Sequence, residues 1–211
     1  VDSIIVRHVY WLGLYGPAWE GTEIRAWQYF CGRASKILEI GANIGVYTLC
    51  GASRAAQGKY TAVEPHPFTS GVLRRNLELN QLGRVNVVEA AVVGRKLTDS
   101  MTLMIPTVDQ DETRSGSFLA AGGEVSWRAS QSYDVAVADI HDLIGGVDLL
   151  KLDVEGYEYD ILNSVRDVLL DQRPTLFVEV LPQAHKLQQF LADLSRQGKF
   201  QLFAAGRTIQ R

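Results

Sequence analysis

The chain has 211 residues and a formal net charge of -3, with 21 lysines and arginines against 24 aspartates and glutamates. Hydrophobic residues make up 46% and charged residues 21%, an ordinary globular composition that excludes disordered, collagen-like and membrane-embedded classes. At about 150 residues per domain the length predicts a single domain, and the slight negative charge argues against nucleic acid as the main partner.

Strand-like and helical segments alternate along the chain. The first predicted element is a helix over residues 22–31, with Thr22 as its cap. Short β-branched runs bounded by turn residues predict five strands, at residues 36–40, 60–64, 85–89, 147–153 and 175–180. Helical patterns lie between and after these strands, at residues 44–54, 68–80, 157–170 and 183–197. The alternation predicts an α/β fold, a doubly wound and mostly parallel sheet with helices on both faces.

The predicted single domain, residues 1–211, divides into four parts. They are a helical segment at 1–34, a cofactor-binding half at 35–93, an insertion or loop at 95–132, and a catalytic and substrate half at 133–211. Within the insertion, residues 101–105 predict a strand and residues 110–123 are polar. A long loop inside a compact domain is usually functional or disordered, so two interpretations stay open: a cover over the active face, or a mobile surface loop.

The chain carries no sign of export or membrane insertion. No segment reaches the ~18 to 20 apolar residues of a membrane helix, and the first residues lack a signal-peptide pattern. Cys31 and Cys50 are too few for a disulfide framework, which favours a reducing compartment. We therefore expect a cytoplasmic protein without membrane insertion. Because the chain begins at Val1, it could also be a piece of a longer protein.

Acidic residues end or follow most of the predicted strands. In an open α/β sheet, ligands bind outside the carboxyl ends of the strands, so these positions predict the functional site. Charges are costly to bury on strands covered on both faces, which argues against chance placement. The alternative is that these carboxylates cap the following helices. The acidic positions are Glu39, Glu64, Asp153, Glu155 and Glu179.

A glycine turn joins the first strand to its helix, with Gly41, Ala42, Asn43 and Gly45 in the sequence GANIG. Glu64 follows Gly45 by 19 positions, which suits a carboxylate that accepts hydrogen bonds from two ribose hydroxyls. A dinucleotide site would need G-x-G-x-x-G, and here Asn43 crowds the pyrophosphate position. S-adenosylmethionine carries a ribose, a cationic sulfonium and no phosphate, so the pattern favours this methyl donor over a nicotinamide or flavin dinucleotide.

Four motifs resemble those of the FkbM family of S-adenosylmethionine-dependent methyltransferases. They are ILEIGANIGVYT at 37–48, VEPHP at 63–67, DLLKLDVEGYE at 148–158 and FVEV at 177–180. The resemblance implies a class I, Rossmann-like methyltransferase fold and methyl transfer to oxygen, commonly on sugars or on polyketide and other secondary-metabolite hydroxyls. It also implies donor contacts at Pro65, at His66 and at Ala90. His66 could instead only start the next helix.

The end of the chain departs from the pattern that this resemblance implies. Class I folds usually finish with an antiparallel hairpin, whereas residues 200–204 are the last strand-like run here. We therefore expect the last strand of the sheet to be missing or very short.

Strand alternation places Lys151 and Asp153 on one face, with Glu155 following and Glu179 on the neighbouring strand. A lysine beside three carboxylates would keep some ionised and tune others. Our hypothesis places Asp153 beside donor and acceptor, with Glu155 or Glu179 as the base; an inert salt-bridge cluster is the alternative. His185 could also serve as base or bind substrate. No metal site is predicted, with Mg²⁺ on these oxygens as the less favoured option.

The predicted function is an O-methyltransferase that acts on a hydroxyl of a sugar, glycolipid or secondary metabolite, with a small-molecule or glycan acceptor as its partner. Two alternatives stay open. An RNA methyltransferase shares the fold but would want a basic face. A non-catalytic S-adenosylmethionine-binding module of a larger protein would keep the cofactor site without the chemistry.

Overall fold

The computed structural model describes residues 21–55, 58–106, 118–119 and 129–204. The helices in this part are α1 (Gly21–Cys31), α2 (Val46–Ala52), α3 (Pro67–Leu79), α4 (Ile140–Leu143), α5 (Glu158–Ser164), α6 (Arg166–Gln172) and α7 (His185–Gly198). The strands are β1 (Lys36–Ile40), β2 (Lys59–Val63), β3 (Asn86–Val88), β4 (Ala91–Val93), β5 (Ser100–Pro106), β6 (Phe118–Leu119), β7 (Ala129–Asp139), β8 (Leu149–Leu152) and β9 (Thr175–Val178). Most of the polar run predicted at 110–123 lies outside the described residues.

Five of these strands form a parallel sheet in the order β3-β2-β1-β8-β9. All five were predicted from the sequence, with ends that differ by at most two residues. The register pairs Glu39 with Lys151, and Lys151 with Phe177. All strands therefore end at one edge, called here the carboxyl edge, and the doubly wound parallel sheet is confirmed.

Helices cover this sheet on both faces. On one face, Ile37 of β1 packs with Trp27 of α1 and Leu73 of α3. On the other, Leu38 of β1 packs in a cluster with Ile40 and Leu150 of the sheet. Helices α5, α6 and α7 complete this cluster through Ile161, Leu169, Leu187 and Phe190. Both faces of β1 and β8 are apolar, as expected for central parallel strands. Against that background Glu39 and Lys151 are exceptional buried charges.

The segment predicted as an insertion or loop contributes to a second sheet, and this corrects the sequence prediction. The order is β4-β7-β5-β6, with β5 antiparallel to β7 and β4 parallel to it. The strand predicted at 101–105 is confirmed as β5, but β7 was missed. Its second half alternates buried Val135 and Val137 with exposed Asp134 and Ala136, whereas its first half is polar and hid the pattern.

One further prediction, that of a single helix, differs from the structure. The single helix predicted over 157–170 is two helices, α5 and α6, because Val165 leaves the helical conformation between them. Its side chain stays in the core, so the apolar periodicity continues across the break and conceals it. The strand-like run 200–204 forms no strand over its first four residues; Leu202 and Phe203 are exposed. No helix in the described part combines the length and apolar character that a membrane crossing requires.

Candidate functional site

The glycine turn lies at the carboxyl edge, between β1 and α2. Gly41, Asn43 and Gly45 all have positive φ, of 82°, 50° and 93°. A Cβ at Gly41 would stand 1.7 Å from the backbone oxygen of Asp153, so only glycine allows the turn to pass this close to the end of β8. The side chain of Asn76 in α3 donates to the Ile44 oxygen at 2.8 Å and ties the turn down.

Glu64 follows β2 and closes the other side of this turn. One carboxylate oxygen accepts from the backbone N–H of Asn43 at 2.9 Å, and the other from that of His66 at 3.0 Å. The residue is 7% exposed. Burial raises the pKa of the Glu64 carboxyl to about 7, although these two backbone hydrogen bonds work in the opposite direction. A carboxylate oxygen accepts more than one hydrogen bond, so Glu64 keeps acceptor capacity for a ligand.

The other residues predicted to contact the donor surround this turn. His66 caps α3, where its Nδ1 accepts from the Thr69 N–H at 3.3 Å, so its role as a helix start is confirmed. Its ring also meets Tyr133 of β7, with centroids 4.6 Å apart. Ala42 and Ala90 are buried, and Pro65 is half-buried. Contact of these residues with the donor stays a prediction.

Glu39 lies deeper than the other acidic residues. Its side chain is fully buried in β1, and one oxygen accepts from the hydroxyls of Thr48 at 2.8 Å and Tyr60 at 2.5 Å. Burial raises the pKa of the Glu39 carboxyl, an effect that Lys151 on the adjacent strand opposes. The sequence predicted Glu39 as a donor contact, and that also stays a prediction.

Four charged residues meet where β8 and β9 end. Lys151 Nζ lies 2.8 Å from Asp153 Oδ2 and 4.6 Å from the ring centroid of Tyr47. Oxygens of Asp153, Glu155 and Glu179 lie within 4.8 Å of one another. We call these three acids the carboxylate cluster. The sequence predicted that these residues meet, from strand alternation and the neighbouring strand, but with Glu155 on an extended backbone, whereas its φ is 55°.

The carboxylate cluster holds more negative charge than Lys151 neutralises. Partial desolvation of the Glu179 carboxyl, the charges of Asp153 and Glu155, and a hydrogen bond with Asp153 raise the pKa of Glu179 to about 8. Two carboxyl groups can share such a hydrogen bond only when one carries a proton. Glu179 is therefore the member poised to exchange a proton near neutral pH.

Comparison with known proteins adds an independent observation. The model of the FkbM methyltransferase domain matches residues 39–201, from Glu39 in β1 to just beyond α7. The chain belongs to the FkbM methyltransferase family. The family resemblance expected from the four sequence motifs is thereby confirmed.

Two relatives of this FkbM-family chain show the range of the similarity. "Methyltransferase 1" of Beauveria bassiana (strain ARSEF 2860) is 27% identical over 161 residues, which are 69% of this chain and 64% of that protein. The crystal structure of an FkbM methyltransferase from Methylobacillus flagellatus KT superimposes with a TM-score of 0.50 at 17% identity, over 78% of this chain and 37% of that one. The chain therefore spans about two thirds and one third of these relatives. The class I, Rossmann-like fold is confirmed.

His185 and a possible cation site were the remaining features predicted for the site of the FkbM-family chain. His185 begins α7 as an exposed residue, and the carboxylate cluster is assembled without it, so its role as base or substrate contact stays a prediction. The oxygens of the carboxylate cluster are close enough together to coordinate a hard cation such as Mg²⁺. Exposed acidic groups commonly lie this close without a cation, and we assign no metal to them.

Glu158 is the residue that sequence reasoning missed. It is the last acid of the K-x-D-x-E-G-x-E motif and is 2% exposed. Its carboxylate accepts from the N–H groups of Val154 and Gly156, at 2.9 Å and at 3.0 to 3.2 Å. A signal was present, since acidic residues favour the first turn of a helix. The sequence could not show that this one turns back toward the cluster.

Glu155 has a left-handed backbone, with φ of 55°, although it is not glycine. Such a conformation costs of order 1 kcal/mol or more, and Glu155 also repels the two acids beside it. We expect Glu155→Gly to raise the free energy of unfolding by about 1 kcal/mol while methyl transfer falls. Denaturant unfolding beside an activity assay checks both effects. A variant that is less stable than the wild type would show that Glu155 is not strained.

Proposed function

We propose that this FkbM-family chain transfers a methyl group from S-adenosylmethionine to a hydroxyl oxygen of a small-molecule or glycan acceptor. The observation that carries the proposal is the carboxylate cluster with Lys151, placed at the carboxyl edge next to the glycine turn. In doubly wound sheets this edge is where ligands bind. Family membership supports methyl transfer, and the cluster supports oxygen as the acceptor atom because it supplies a base.

The donor set of the turn fits S-adenosylmethionine. Glu64 stands at the tip of β2 with acceptor capacity for ribose hydroxyls, and Gly41 and Gly45 let the turn pack tightly against Asp153 and Leu73 beside it. The surrounding acids would repel phosphates and attract a cation. A sulfonium nucleoside satisfies all three features, and a dinucleotide violates the last.

The chain's own residues would then align the acceptor and remove its proton. The bound donor supplies an electrophilic methyl group, so the acceptor oxygen must approach in line with the carbon–sulfur bond. Glu179 in its ionised form takes the hydroxyl proton as the oxygen–carbon bond forms and the carbon–sulfur bond breaks. Lys151 forms an ion pair with Asp153, and Asp153 in turn accepts the hydrogen bond of Glu179 once Glu179 has taken the proton.

Donor binding is predicted to depend on the protonation of Glu64. The pKa of its carboxyl is about 7 in the free protein, and a ribose and a nearby cation favour the ionised form. Below pH 7 we expect the affinity for S-adenosylmethionine to decrease as the pH is lowered, by up to about tenfold per pH unit. Near pH 7, binding of the donor should release a proton from Glu64. Titration calorimetry in buffers of different ionisation heat measures both quantities.

Glu64→Gln tests this assignment directly. The variant should bind the donor weakly and lose the pH dependence centred near 7. Glu78→Gln, which removes an exposed acid of α3 that pairs with Arg75, is the matched control and should bind as the wild type does. Wild-type affinity that is constant from pH 5.5 to 8.5, or a pH dependence that survives in Glu64→Gln, would contradict the donor site.

A further inference from the structure

We infer that Glu158 is a positioning residue, which holds Glu155 against Asp153 and Glu179 by fixing the turn between β8 and α5. This inference rests on the proposed function for its catalytic meaning. Glu158 is not a member of the carboxylate cluster, and its carboxylate accepts hydrogen bonds from the backbone of the turn. It would act through the backbone of the residues that precede it.

The N–H groups that donate to Glu158 lie too early in the chain for a simple helix cap. A capping carboxylate satisfies free N–H groups in the first turn of its own helix or at the cap itself. The cap of α5 is Tyr157, whereas Glu158 accepts from Gly156 and Val154, both upstream of that cap. The buried carboxylate therefore orders the turn that leaves β8.

The conformation of that turn is one the chain does not adopt unaided. Glu155 has φ of 55° and Gly156 has φ of 108°, so two consecutive residues are left-handed. A lone glycine supplies such a conformation at no steric cost, but Glu155 does not. The three hydrogen bonds to Glu158 offset the strain, since bonds to a charged, buried acceptor are among the stronger ones in proteins.

This turn determines which acids form the carboxylate cluster. With its backbone extended beyond Asp153, residue 155 would continue the strand; the left-handed turn instead brings its carboxylate to the other two acids. The charges that face Glu179 are Asp153, Glu155 and Glu158, and Lys151 binds Asp153. Loss of the turn would move Glu155 away and leave Glu179 less strongly protonated.

The test compares Glu158→Gln with Asp160→Asn, an exposed acid of the same helix, in the chain as it stands. Glutamine keeps the size of the side chain but loses the charge and one of the two acceptor oxygens. At pH 9, where Glu179 is largely ionised in both proteins, we expect kcat to fall about 10- to 100-fold with the KM for the donor changed less than threefold, because a small displacement of a positioned group has this effect. Asp160→Asn should behave as the wild type.

The pKa of Glu179 distinguishes a positioning role of Glu158 from a purely structural one, because a purely structural role would leave this pKa unchanged. Followed by NMR of carboxyl-labelled glutamate, the pKa of Glu179 should fall by about half a unit to one unit in Glu158→Gln, since two negative charges near it are lost or displaced. Because this readout needs no activity, it separates the inference from the proposed function: an inactive wild type refutes the function alone. If Glu158→Gln has the same Glu179 pKa and the same kcat as the wild type, the inference is overturned.

If Glu158→Gln does not fold, Gly156→Ala perturbs the same turn from the other side. A Cβ at Gly156 meets no atom within 4 Å, so only its φ of 108° opposes the substitution. The same fall in kcat and in the pKa of Glu179 is expected. Unchanged values in this folded variant would equally overturn the inference.

Discussion

Replacing Glu179 with glutamine is expected to lower kcat for methyl transfer by about 10²- to 10⁴-fold, the usual contribution of a positioned base. The amide cannot accept the hydroxyl proton, yet it retains the size of the side chain and a hydrogen bond to Asp153. Donor affinity should change little, because the ribose contact is assigned to Glu64. A steady-state assay with donor binding measured on the same preparation separates the two effects.

The pH profile makes this expectation specific to Glu179. The base must be ionised, and the pKa of the Glu179 carboxyl is about 8 in the free protein. The wild-type kcat/KM should therefore rise with pH and level off above about 8. Glu179→Gln should lose this inflection, while Glu78→Gln on the surface of α3 should keep it. An inflection near 8 that persists in Glu179→Gln would remove Glu179 as the base.

Gly41→Ala is expected to lower the free energy of unfolding by at least about 3 kcal/mol and to abolish donor binding. The added methyl group would overlap the backbone oxygen of Asp153, and φ of 82° is unfavourable for alanine. Neither neighbour can yield easily: the Gly41 and Ala42 N–H groups bond to the Val63 oxygen, and the Asp153 N–H bonds to the Ile40 oxygen. The turn is thus fixed between β2 and β8.

Gly71→Ala is the matched control for this substitution. Gly71 lies within α3, and a Cβ there meets no atom within 4 Å. Alanine in a helix interior should leave the fold unchanged or stabilise it by about 0.5 to 1 kcal/mol. Denaturant unfolding of both variants checks the contrast. Gly41→Ala unfolding at the same denaturant concentration as the wild type would contradict the close approach of the turn to β8.

The parallel sheet and its acidic edge could be predicted because each strand is a short apolar run that ends in an acid. The alternation of Lys151 and Asp153 sufficed to place them together, and the order of parallel strands brought Glu179 beside them. These are consequences of a two-residue period and of one shared sheet edge. They need no knowledge of loops.

What could not be predicted depends on backbone turns and long-range pairing. The residue types at 155 and 156 do not show that both have a left-handed backbone. The location of the Glu155 carboxylate and the backbone partners of Glu158 therefore could not be predicted. The second sheet was hidden because β7 pairs with β5 across a wide separation in sequence and starts with polar residues. Propensity describes neighbours along the chain, and these features arise from neighbours in space.

The most direct test of the central claim is transfer of labelled methyl from S-adenosylmethionine to a panel of sugars, glycolipids, polyketides and RNA, by the wild type and by Glu179→Gln. We expect both proteins to bind the donor equally. The wild type should place the label on oxygen of a small-molecule or glycan acceptor, at a rate at least about 100-fold above the variant. A wild type that binds no donor, or a variant that transfers methyl as fast as the wild type, would contradict the account.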